Sequence, residues 1–275
     1  MPRVAVIALL VVASAPGGLA ASPAPPEDGG EAPWTLCFED RDILPWRTRA
    51  GTGRNIDLLE AASRQTGLRF RYVALPWRRC MSDVASGEID GLFAISHSVE
   101  REQLWVYPPA GPDRTKFRMF EDGYVLVHRA GDTVAVVDGR VVGLRGSIGA
   151  QPGYSVVGDL RQQGVDVDEG TPEPARIIRK LAEGRIGAAA LGTSAWRDLQ
   201  AHAEQPLADV DLVAQPLFIK DYHLVISHQR YARSPQAALA LWSAIADQRE
   251  RLAPAADPSA PATPDTARTG SRRAD

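Results

Sequence analysis

The sequence predicts an α/β protein made of two lobes, with a ligand cleft between the lobes and two extended hinge crossings that join them. Strand-like and helix-like segments alternate along the chain, and this alternation occurs twice. One extended segment separates the two occurrences and another follows them. With 275 residues the chain can bury a sizeable core, in one large domain or two small ones.

The first alternation covers residues 34–95. Its predicted elements are a short strand at 34–38, a helix capped by Asn55 and ended by Gly67, an edge strand at 68–73, a helix at 77–87 and a central strand at 91–95. The edge strand alternates apolar and basic residues, which is typical of a half-exposed strand. The central strand is a continuous apolar run, as burial on both faces of a parallel sheet requires.

The second alternation covers residues 141–191. Its predicted elements are a strand at 141–144, a helix that follows the turn RGSIG and ends at Gly164, a strand at 165–167, a helix from Thr171 to Gly184 and a strand at 188–191. Thr171 is expected to cap its helix, with Pro172 at the first helical position that proline prefers.

Extended stretches near 117–124 and 214–222 are the predicted hinge crossings. A helix from Ser234 to about Leu252 is expected to return to the first lobe. The predicted boundaries are therefore 33–116 and 215–252 for the first lobe, and 117–214 for the second lobe with its crossings.

The two ends of the chain differ in composition from the rest. Residues 1–21 combine a basic start, an apolar run of about ten residues and a small-residue end, which is typical of a cleaved secretory signal. The run is too short for a membrane span of ~20 residues, and a proline and two glycines make a buried helix the less favoured alternative. We expect cleavage near residue 21, a mobile linker at 22–32, a disordered tail at 253–275, and a periplasmic protein without a membrane anchor.

The composition excludes some partners and leaves the state of the cysteines open. A net charge of -3 gives no electrostatic basis for binding nucleic acid. Hydrophobic residues make up 44% and charged residues 24%, as in soluble globular proteins. Cys37 and Cys80 are the two cysteines, and an even number in an exported protein is compatible with one disulfide. Two buried free thiols remain the alternative.

The sequence SHSVER, residues 96–101, follows the central strand of the first alternation. Ligands of open α/β sheets sit beyond the carboxyl ends of strands, so this position is a candidate site. Ser98 can cap a helix whose first turn holds Arg101, where a positive charge is unfavourable unless an anion lies nearby. Arg101 is therefore a candidate anion-binding residue. A surface salt bridge to Glu100 or Glu102 is the alternative.

The other candidate ligand-binding residues each have a plainer alternative. The turn RGSIG allows close backbone approach and offers a hydroxyl donor, unless it is a simple tight turn. The tryptophans can form ligand platforms or pack in the core, and a threonine after the last strand is typical of a helix cap. These candidates, with an acid that follows the first strand, are Gly146, Ser147, Trp46, Trp77, Thr193 and Asp40.

We predict no metal, no cofactor and no catalytic residue. His97 shares a loop with Arg101 and is more typical of a hydrogen-bonded structural residue. The other histidines lack metal-ligand spacing with a cysteine or an acid. The sequence has no nucleophile elbow, no phosphate-binding glycine loop and no zinc signature.

Several segments, in this order, resemble the periplasmic solute-binding proteins of family 3, the polar amino-acid uptake type. They are GRNIDLLEAASRQTGLRFRYVALPW, ASGEIDGLFAISHSVERE, VGLRGSIG, LAEGRIGAAALG and FIKDYHLVISHQRYARSPQAALALWSAIADQRE. Together they span about residues 34–252. The resemblance implies a periplasmic binding protein-like fold of type II, the venus-flytrap fold, in a monomer that works with the membrane permease of an ABC importer.

The resemblance also implies roles for particular residues. In the family, the position of Arg101 binds the ligand's α-carboxylate, and the turn at Gly146 and Ser147 adds donors, so Arg101, Ser96, Ser98 and Ser147 would form the anion site. One departure affects the ligand class. Amino-acid binders carry an acid near the end of the strand that follows GR-[IL]-D, and this acid holds the α-ammonium group. Here Gly187 replaces the usual Asp, and Gly192 and Thr193 stand where the acid that binds the ammonium group is expected. Either Asp40 or Glu39 takes that role, or the ligand lacks an amine.

Three functions are compatible with these features. The favoured one is a non-enzymatic binding protein that captures a small polar or anionic ligand, amino-acid-like or an organic acid, for ABC transport. A sensory ligand-binding module for a membrane receptor would have the same sequence features. A dehydratase-type enzyme on this scaffold is the third, with Glu39, Asp40 and Glu173 as candidate acids.

Overall fold

A computed structural model describes residues 32–110, 114–202, 207 and 209–252 of the chain. The predicted signal segment, the linker up to residue 31 and the tail lie outside the described residues. The strands are β1 (Trp34–Glu39), β2 (Phe70–Leu75), β3 (Gly91–Ser96), β4 (Phe120–Arg129), β5 (Ala135–Val137), β6 (Arg140–Val142), β7 (Ile148–Gly149), β8 (Val167–Asp168), β9 (Ala188–Gly192), β10 (Val210–Leu212) and β11 (Phe218–Ile226).

The helices alternate with these strands in both halves of the chain. They are α1 (Arg54–Thr66), α2 (Trp77–Ser86), α3 (Val99–Glu102), α4 (Ser155–Gln162), α5 (Pro174–Ala182), α6 (Thr193–His202), α7 (His228–Arg233) and α8 (Pro235–Leu252), with a short 3-10 helix at Arg114–Phe117. None of these described helices is both long and apolar enough to cross a bilayer.

Nine of the strands form one mixed sheet with the order β2-β1-β3-β11-β4-β9-β7-β8, and β10 pairs with β4. The strands β1, β2 and β3 are parallel at one end, and β7, β8 and β9 are parallel at the other. Between these groups, β4 and β11 run antiparallel to each other and to their outer neighbours. The strands β5 and β6 form a separate hairpin.

The two parallel groups have separate hydrophobic cores, which define two lobes. The first lobe contains β1–β3 with α1–α3, α7 and α8, and its largest buried side chains include Trp34, Phe93 and Trp242. The second lobe contains β5–β10 with α4–α6, and buries Ile148 and Leu160.

The strands β4 and β11 cross from one lobe to the other. In β4, Phe120 packs in the core of the first lobe and Leu126 in that of the second. In β11, Leu224 belongs to the first core and Phe218 packs against the second. Each crossing strand is thus anchored by apolar side chains at both ends.

The starts of two helices differ from the prediction. The helix α1 begins at Arg54 and its cap is Gly53, so Asn55 lies buried inside the first turn. The helix α5 begins at Pro174 rather than after Thr171, whose Oγ1 instead accepts a hydrogen bond from the Glu173 N–H at 3.2 Å. A second proline, Pro174, follows Pro172 two residues later, and it is Pro174 that begins the helix.

The predicted strand at 141–144 is placed wrongly in the sheet. Residues Arg140–Val142 pair only with β5, and the sheet position belongs to β7, Ile148–Gly149. A strand of two residues has no periodicity that a sequence pattern can detect. This shift puts the residues after β7, rather than RGSIG, at the carboxyl end of a strand in the sheet.

A disulfide joins Cys37 in β1 to Cys80 in α2, with the Cα atoms 5.8 Å apart. Both residues are fully buried. It ties the second helix directly onto the central part of the first lobe's sheet, and the free-thiol alternative does not apply to this structure.

Candidate functional site

A cavity lies where the two lobes meet, beyond the carboxyl end of β3 and against β4 and β11. Its volume is about 50 Å³, where a single water needs roughly 10–15 Å³. The space in this closed arrangement therefore has room for about three to five waters. Its aromatic lining residues are Trp46, Trp77, Phe120, Tyr124, Tyr154 and Tyr222, and its charged ones are Glu39, Arg47, Arg101 and Asp122.

Stacked aromatic rings form one wall of the cavity. The ring centroids of Trp46 and Phe120 are 4.2 Å apart, and those of Phe120 and Tyr222 are 4.7 Å apart. The Trp46 indole N–H donates to the Ser194 hydroxyl of the second lobe at 3.0 Å. The wall is thus apolar in body and fixed in place by a hydrogen bond at one end.

A β-bulge shapes the end of β3. Ala94 has φ 62, and the register against β11 shifts between His223 and Leu224. A bulge inserts one extra residue and bends the strand. Consequently Ala94, Ile95 and Ser96, three successive residues, all line the cavity.

Arg101 lies in the short helix α3, whose cap Ser98 accepts a hydrogen bond from the Arg101 backbone N–H at 3.4 Å. Its Nη1 donates to the carbonyl and hydroxyl oxygens of Ser96 at 2.8 and 3.1 Å. Its Nη2 donates to the carbonyl of Gly153 in the second lobe at 2.9 Å. These neutral acceptors orient the guanidinium but leave donors of its five-donor fork for a ligand.

The positive charge of Arg101 has no carboxylate partner among the described residues. Glu102 pairs with His97 at 2.8 Å and with Arg114 at 2.6 Å instead. The predicted alternative, a surface salt bridge of Arg101 with Glu100 or Glu102, is therefore not what the structure has.

Asp122 supplies a negative charge that the sequence patterns did not reveal. Residues two apart on a strand share a face, and Phe120, Asp122 and Tyr124 of β4 all line the cavity. The Gly123 N–H donates to the Asp122 carboxylate at 2.8 Å. Burial raises the pKa of this carboxyl group, against the lowering effect of hydrogen bonds from Ser194 and Gly123 and of the Arg197 charge. No basic side chain of the described residues forms an ion pair with it.

A second pair of charges in the cavity is already matched. The Arg47 Nη2 donates to Glu39 Oε2 at 3.0 Å, and both side chains are buried. The Tyr154 hydroxyl of the second lobe donates to the same carboxylate oxygen at 2.6 Å. Glu39 thereby links the loop after β1 to the opposite lobe.

The three tyrosines of the cavity keep their hydroxyl protons. Burial is the main cause that raises the pKa values of Tyr124, Tyr154 and Tyr222. For Tyr154 the nearby Glu39 carboxylate raises the pKa further. These hydroxyls therefore act as neutral hydrogen-bonding groups.

The lobes are held together by further direct contacts around the cavity. The Ser96 and Ser155 hydroxyls are 2.8 Å apart, and the Trp77 indole N–H donates to the Gly153 carbonyl at 3.3 Å. At the rim, Arg78 pairs with Glu169 at 3.1 Å. The structure is thus a closed arrangement of the two lobes.

The structure brings some of the predicted site residues to the cavity and leaves others outside it. Arg101, Ser96, Trp46 and Trp77 line the cavity, while Ser98 caps α3 beside it. Gly146, Ser147, Asp40 and Thr193 do not line it.

Each residue outside the cavity has a structural reason to be there. Gly146 and Ser147 precede β7 and so lie at its amino end, whereas Gln151, Tyr154 and Ser155 follow it and line the cavity. Thr193 begins α6 between two lining residues. Asp40 lies, with the other candidate acid Glu173, in a second cavity that adjoins the first and shares Ile43, Gln151 and Ala195 with it.

The sequence reasoning missed Arg47, Asp122, Tyr154, Ser155 and Tyr222. Of these, Asp122 had a detectable signal, since an acid between two aromatic residues at alternate positions of a strand is unusual on a buried face. The described residues contain no group of three histidines, cysteines or acids that could hold a metal ion.

No protein-family model matches the sequence, and no curated protein matches it. Solved structures do match the fold. A histidine kinase sensor domain with similarity to periplasmic binding proteins has a TM-score of 0.63 and 20% identity, over 80% of this chain and 91% of that one. The GluR0 ligand-binding core from Nostoc punctiforme, in complex with (L)-glutamate, has a TM-score of 0.60 and 19% identity, over 80% and 94%.

A third similar structure is ArtJ, an arginine-, lysine-, histidine-binding protein from Geobacillus stearothermophilus. Its TM-score is 0.57 and its identity 16%, over 80% of this chain and 89% of that one. At these identities the likeness concerns the fold. The predicted two-lobed, periplasmic-binding-protein-like α/β fold is confirmed.

Proposed function

We propose that this chain is a periplasmic solute-binding protein of the family 3 type, which closes on a small zwitterionic ligand, an amino acid or a close analogue. One observation carries the proposal. Arg101 and Asp122 both line the cavity between the lobes, and neither forms an ion pair among the described residues, although the more distant Arg197 charge acts on Asp122. Both side chains are half-buried, and a charge that is partly removed from water without an ion-pair partner is costly. A ligand with one carboxylate and one ammonium group would satisfy both charges at once.

The role of each group follows from its chemistry. The Arg101 guanidinium would bind the ligand carboxylate, with the Ser96 and Ser155 hydroxyls close by as neutral donors. The Asp122 carboxylate would accept hydrogen bonds from the ammonium group. Asp122 thus takes the role that the glycine at position 187 leaves open, and Asp40 is not needed for it.

The path into the cavity would be a hinge motion about β4 and β11. The crossings that we propose, near 117–124 and 214–222, overlap these two strands. The first lobe would then comprise residues 33–116 and 215–252, and the second lobe residues 117–214. Rotation there would separate Tyr154 from Glu39 and Gly153 from Arg101, and so open the site to solvent.

We propose a binding protein rather than an enzyme. Of the three acids predicted for an enzyme, only Glu39 lines the cavity, and it is held by Arg47 and Tyr154 and is poorly placed to transfer a proton. Similar structures include binding proteins for L-glutamate and for basic amino acids, which supports this choice. A bound ligand should therefore be recovered chemically unchanged after long incubation, as mass spectrometry would show.

A thermal-shift screen of the purified protein tests the proposal. Amino acids, organic acids and polyamines form the panel, and a ligand at 100 times its Kd should stabilise the fold by about 2.7 kcal/mol. We expect amino acids to raise the Tm and Arg101→Ala to abolish the shift. Arg176→Ala, on the surface helix α5, is the matched control and should retain it. No shift with any amino acid, or an unchanged shift in Arg101→Ala, would refute the site.

We further propose delivery of the ligand to the permease of an ABC importer by a monomeric protein. The similar histidine kinase sensor domain supports a second candidate, a sensory module that reports the ligand to a membrane receptor. Deletion of the gene separates the two. Loss of ligand uptake would support transport, and intact uptake with a lost transcriptional response to the ligand would support sensing.

A further inference from the structure

We infer that Arg47 forms a second subsite, which takes an oxygen at the end of the ligand's side chain. The preferred ligand would then be an amino acid whose side chain ends in a carboxylate or a carboxamide. This inference rests on the proposed function, because it assigns the α-carboxylate to Arg101 and the α-ammonium group to Asp122. Arg47 is the remaining cationic residue of the cavity wall.

The first support is an unused donor. Arg47 is 5% exposed and lines the cavity. Its Nη2 donates to Glu39, but its Nε–H has no acceptor among the described residues. Buried polar groups are nearly always hydrogen-bonded, so a fully buried donor without an acceptor, on a residue that lines the cavity, indicates that an acceptor is missing in this closed arrangement. A carbonyl or carboxylate oxygen of a ligand would supply it.

The second support is the local charge balance. Glu39 is the only acid in contact with Arg47 in the described residues, and it also faces Arg41, whose Nε lies 3.6 Å from Oε1. Two guanidinium groups therefore share one carboxylate, which leaves a surplus positive charge beside the cavity. A lysine- or arginine-like side chain would be repelled there, whereas an oxygen acceptor would be attracted.

The third support is that Glu39 has little capacity left for a cationic ligand group. Its Oε2 already accepts hydrogen bonds from Arg47 and from the Tyr154 hydroxyl. Burial and the Glu39 carboxylate itself raise the pKa of Tyr154, so this hydroxyl stays a donor. The acid therefore serves to hold Arg47 and Tyr154 in place.

The loop that carries Arg47 is well packed. The Arg47 backbone exchanges hydrogen bonds with Ile43 in both directions, at 2.8 and 2.9 Å. A Cβ at Gly53 would come within 2.9 Å of the Arg47 Cα, so only glycine permits this approach. The side chain is thus positioned before a ligand arrives, as specific recognition requires.

Titration calorimetry with the unmodified protein tests the inference first. Glutamate, aspartate, glutamine and asparagine are compared with norvaline and leucine, which lack the terminal oxygen, and with lysine. We expect at least one acidic or amide ligand to bind ten times more tightly than norvaline, and lysine to bind more weakly still. The comparison of glutamate with glutamine then shows whether the subsite prefers the charged or the neutral oxygen.

The variant Arg47→Lys keeps a positive charge for Glu39 but removes the Nε–H donor. We expect it to reduce the preference over norvaline to threefold or less. Arg41→Lys is the matched control, because Arg41 also faces Glu39 but does not line the cavity, and it should keep the full preference. Circular dichroism verifies that both variants fold, and the ligand comparison stands without them.

Each result separates this inference from the proposed function. Equal binding of norvaline, lysine and the oxygen-bearing ligands would overturn the inference while the proposed function stands. An Arg47→Lys variant that folds and keeps the full preference would do the same. Failure of every amino acid to bind would overturn the proposed function itself.

Discussion

Single side chains decide which charges the protein matches internally and which it leaves for a ligand. Glu39 and Arg47 form an ion pair within the cavity wall, while the hydrogen bonds of Arg101 and Asp122 are to neutral groups. Hydrogen bonds to charged groups are about twice as strong as those between neutral groups. We therefore expect Arg101 and Asp122 to contribute most of the affinity for a charged ligand. The same residues are therefore the ones whose substitution is most informative.

His223 predicts how the stability of the fold depends on pH. It is 1% exposed, and burial lowers its pKa to about 4, with Arg114 and His97 as smaller lowering effects and Phe117 and Asp221 as opposing ones. Below pH ~6.5 the unfolded chain binds a proton that the folded chain refuses until about pH 4. The free energy of unfolding should fall by about 3 kcal/mol as the pH drops through this window.

Urea unfolding of the ligand-free protein between pH 4 and 7 measures this effect. His223→Gln removes the titrating group and should flatten the slope by about 3 kcal/mol over the window. His202→Gln, at an exposed position of α6, should leave the slope unchanged. Equal slopes in the native protein and His223→Gln would contradict this account.

The sequence allowed part of the site to be predicted. Ser96 and Arg101 follow a continuous apolar run, so their place at the end of a buried strand could be inferred from the pattern alone. Asp122 lies in a segment that was interpreted only as extended, and the one signal that could have indicated it, an acid between two aromatic residues at alternate strand positions, was not used. Ser147 was predicted to bind the ligand, but it precedes β7, and the serine of the second lobe that lines the cavity is Ser155, after β7. A strand of two residues leaves no periodic signal that could have shown this difference.

At the level of elements, we expect a substitution in the turn after β7, at Gly153, to hinder closure of the two lobes. Gly153 has φ 78, and a Cβ there would meet the Met81 Cε at 2.8 Å and the Trp77 Cδ1 at 3.4 Å, both in the first lobe. Gly164 also has φ 78 but has no atom within 4 Å of a Cβ. The two glycines are thus a matched pair that differs only in contact with the other lobe.

Both alanine variants should lose about 1 kcal/mol of stability from the positive φ. Only Gly153→Ala should also weaken ligand binding, by about fivefold, since Met81 must move before the lobes can close. Chemical denaturation and calorimetry measure the two quantities separately. An unchanged affinity in Gly153→Ala would mean that closure does not need this contact.

The disulfide predicts a large contribution to stability from one link between elements. Cys37 and Cys80 are 43 residues apart in sequence, and a loop of this size gives a stabilisation of about 4 kcal/mol in the chain-entropy view. The double variant Cys37→Ala and Cys80→Ala should therefore unfold at lower urea, and a reductant should lower the midpoint of the native protein alone. A loss below about 1 kcal/mol would contradict the estimate.

Elements with a long periodic signal could be predicted, and elements defined by local geometry could not. The apolar run of β3 and the helix α8, from Pro235 to Leu252, are where the patterns placed them. The start of α1 was misplaced because Gly53 caps it without any side-chain hydrogen bond. Capping by backbone geometry alone has no residue type that marks it.

At the scale of the whole molecule, two crossing strands determine where the cavity lies. Because β4 and β11 contribute side chains to both cores, the lobes share one continuous sheet, and the cavity forms where that sheet changes from parallel to antiparallel order. The twofold alternation of elements was enough to predict this architecture. The residues that meet across the cleft were not predictable, since they are far apart in sequence and depend on how the lobes approach.

The central claim is that the cleft binds a zwitterion through Arg101 and Asp122. Calorimetry with the tightest-binding amino acid and its α-hydroxy analogue, which lacks only the amine, tests it most directly. The native protein should prefer the amino acid by at least about 30-fold, Asp122→Asn should remove most of that preference, and Arg101→Ala should abolish binding of both ligands. Equal affinity for the two ligands, with no effect of Asp122→Asn, would contradict the account.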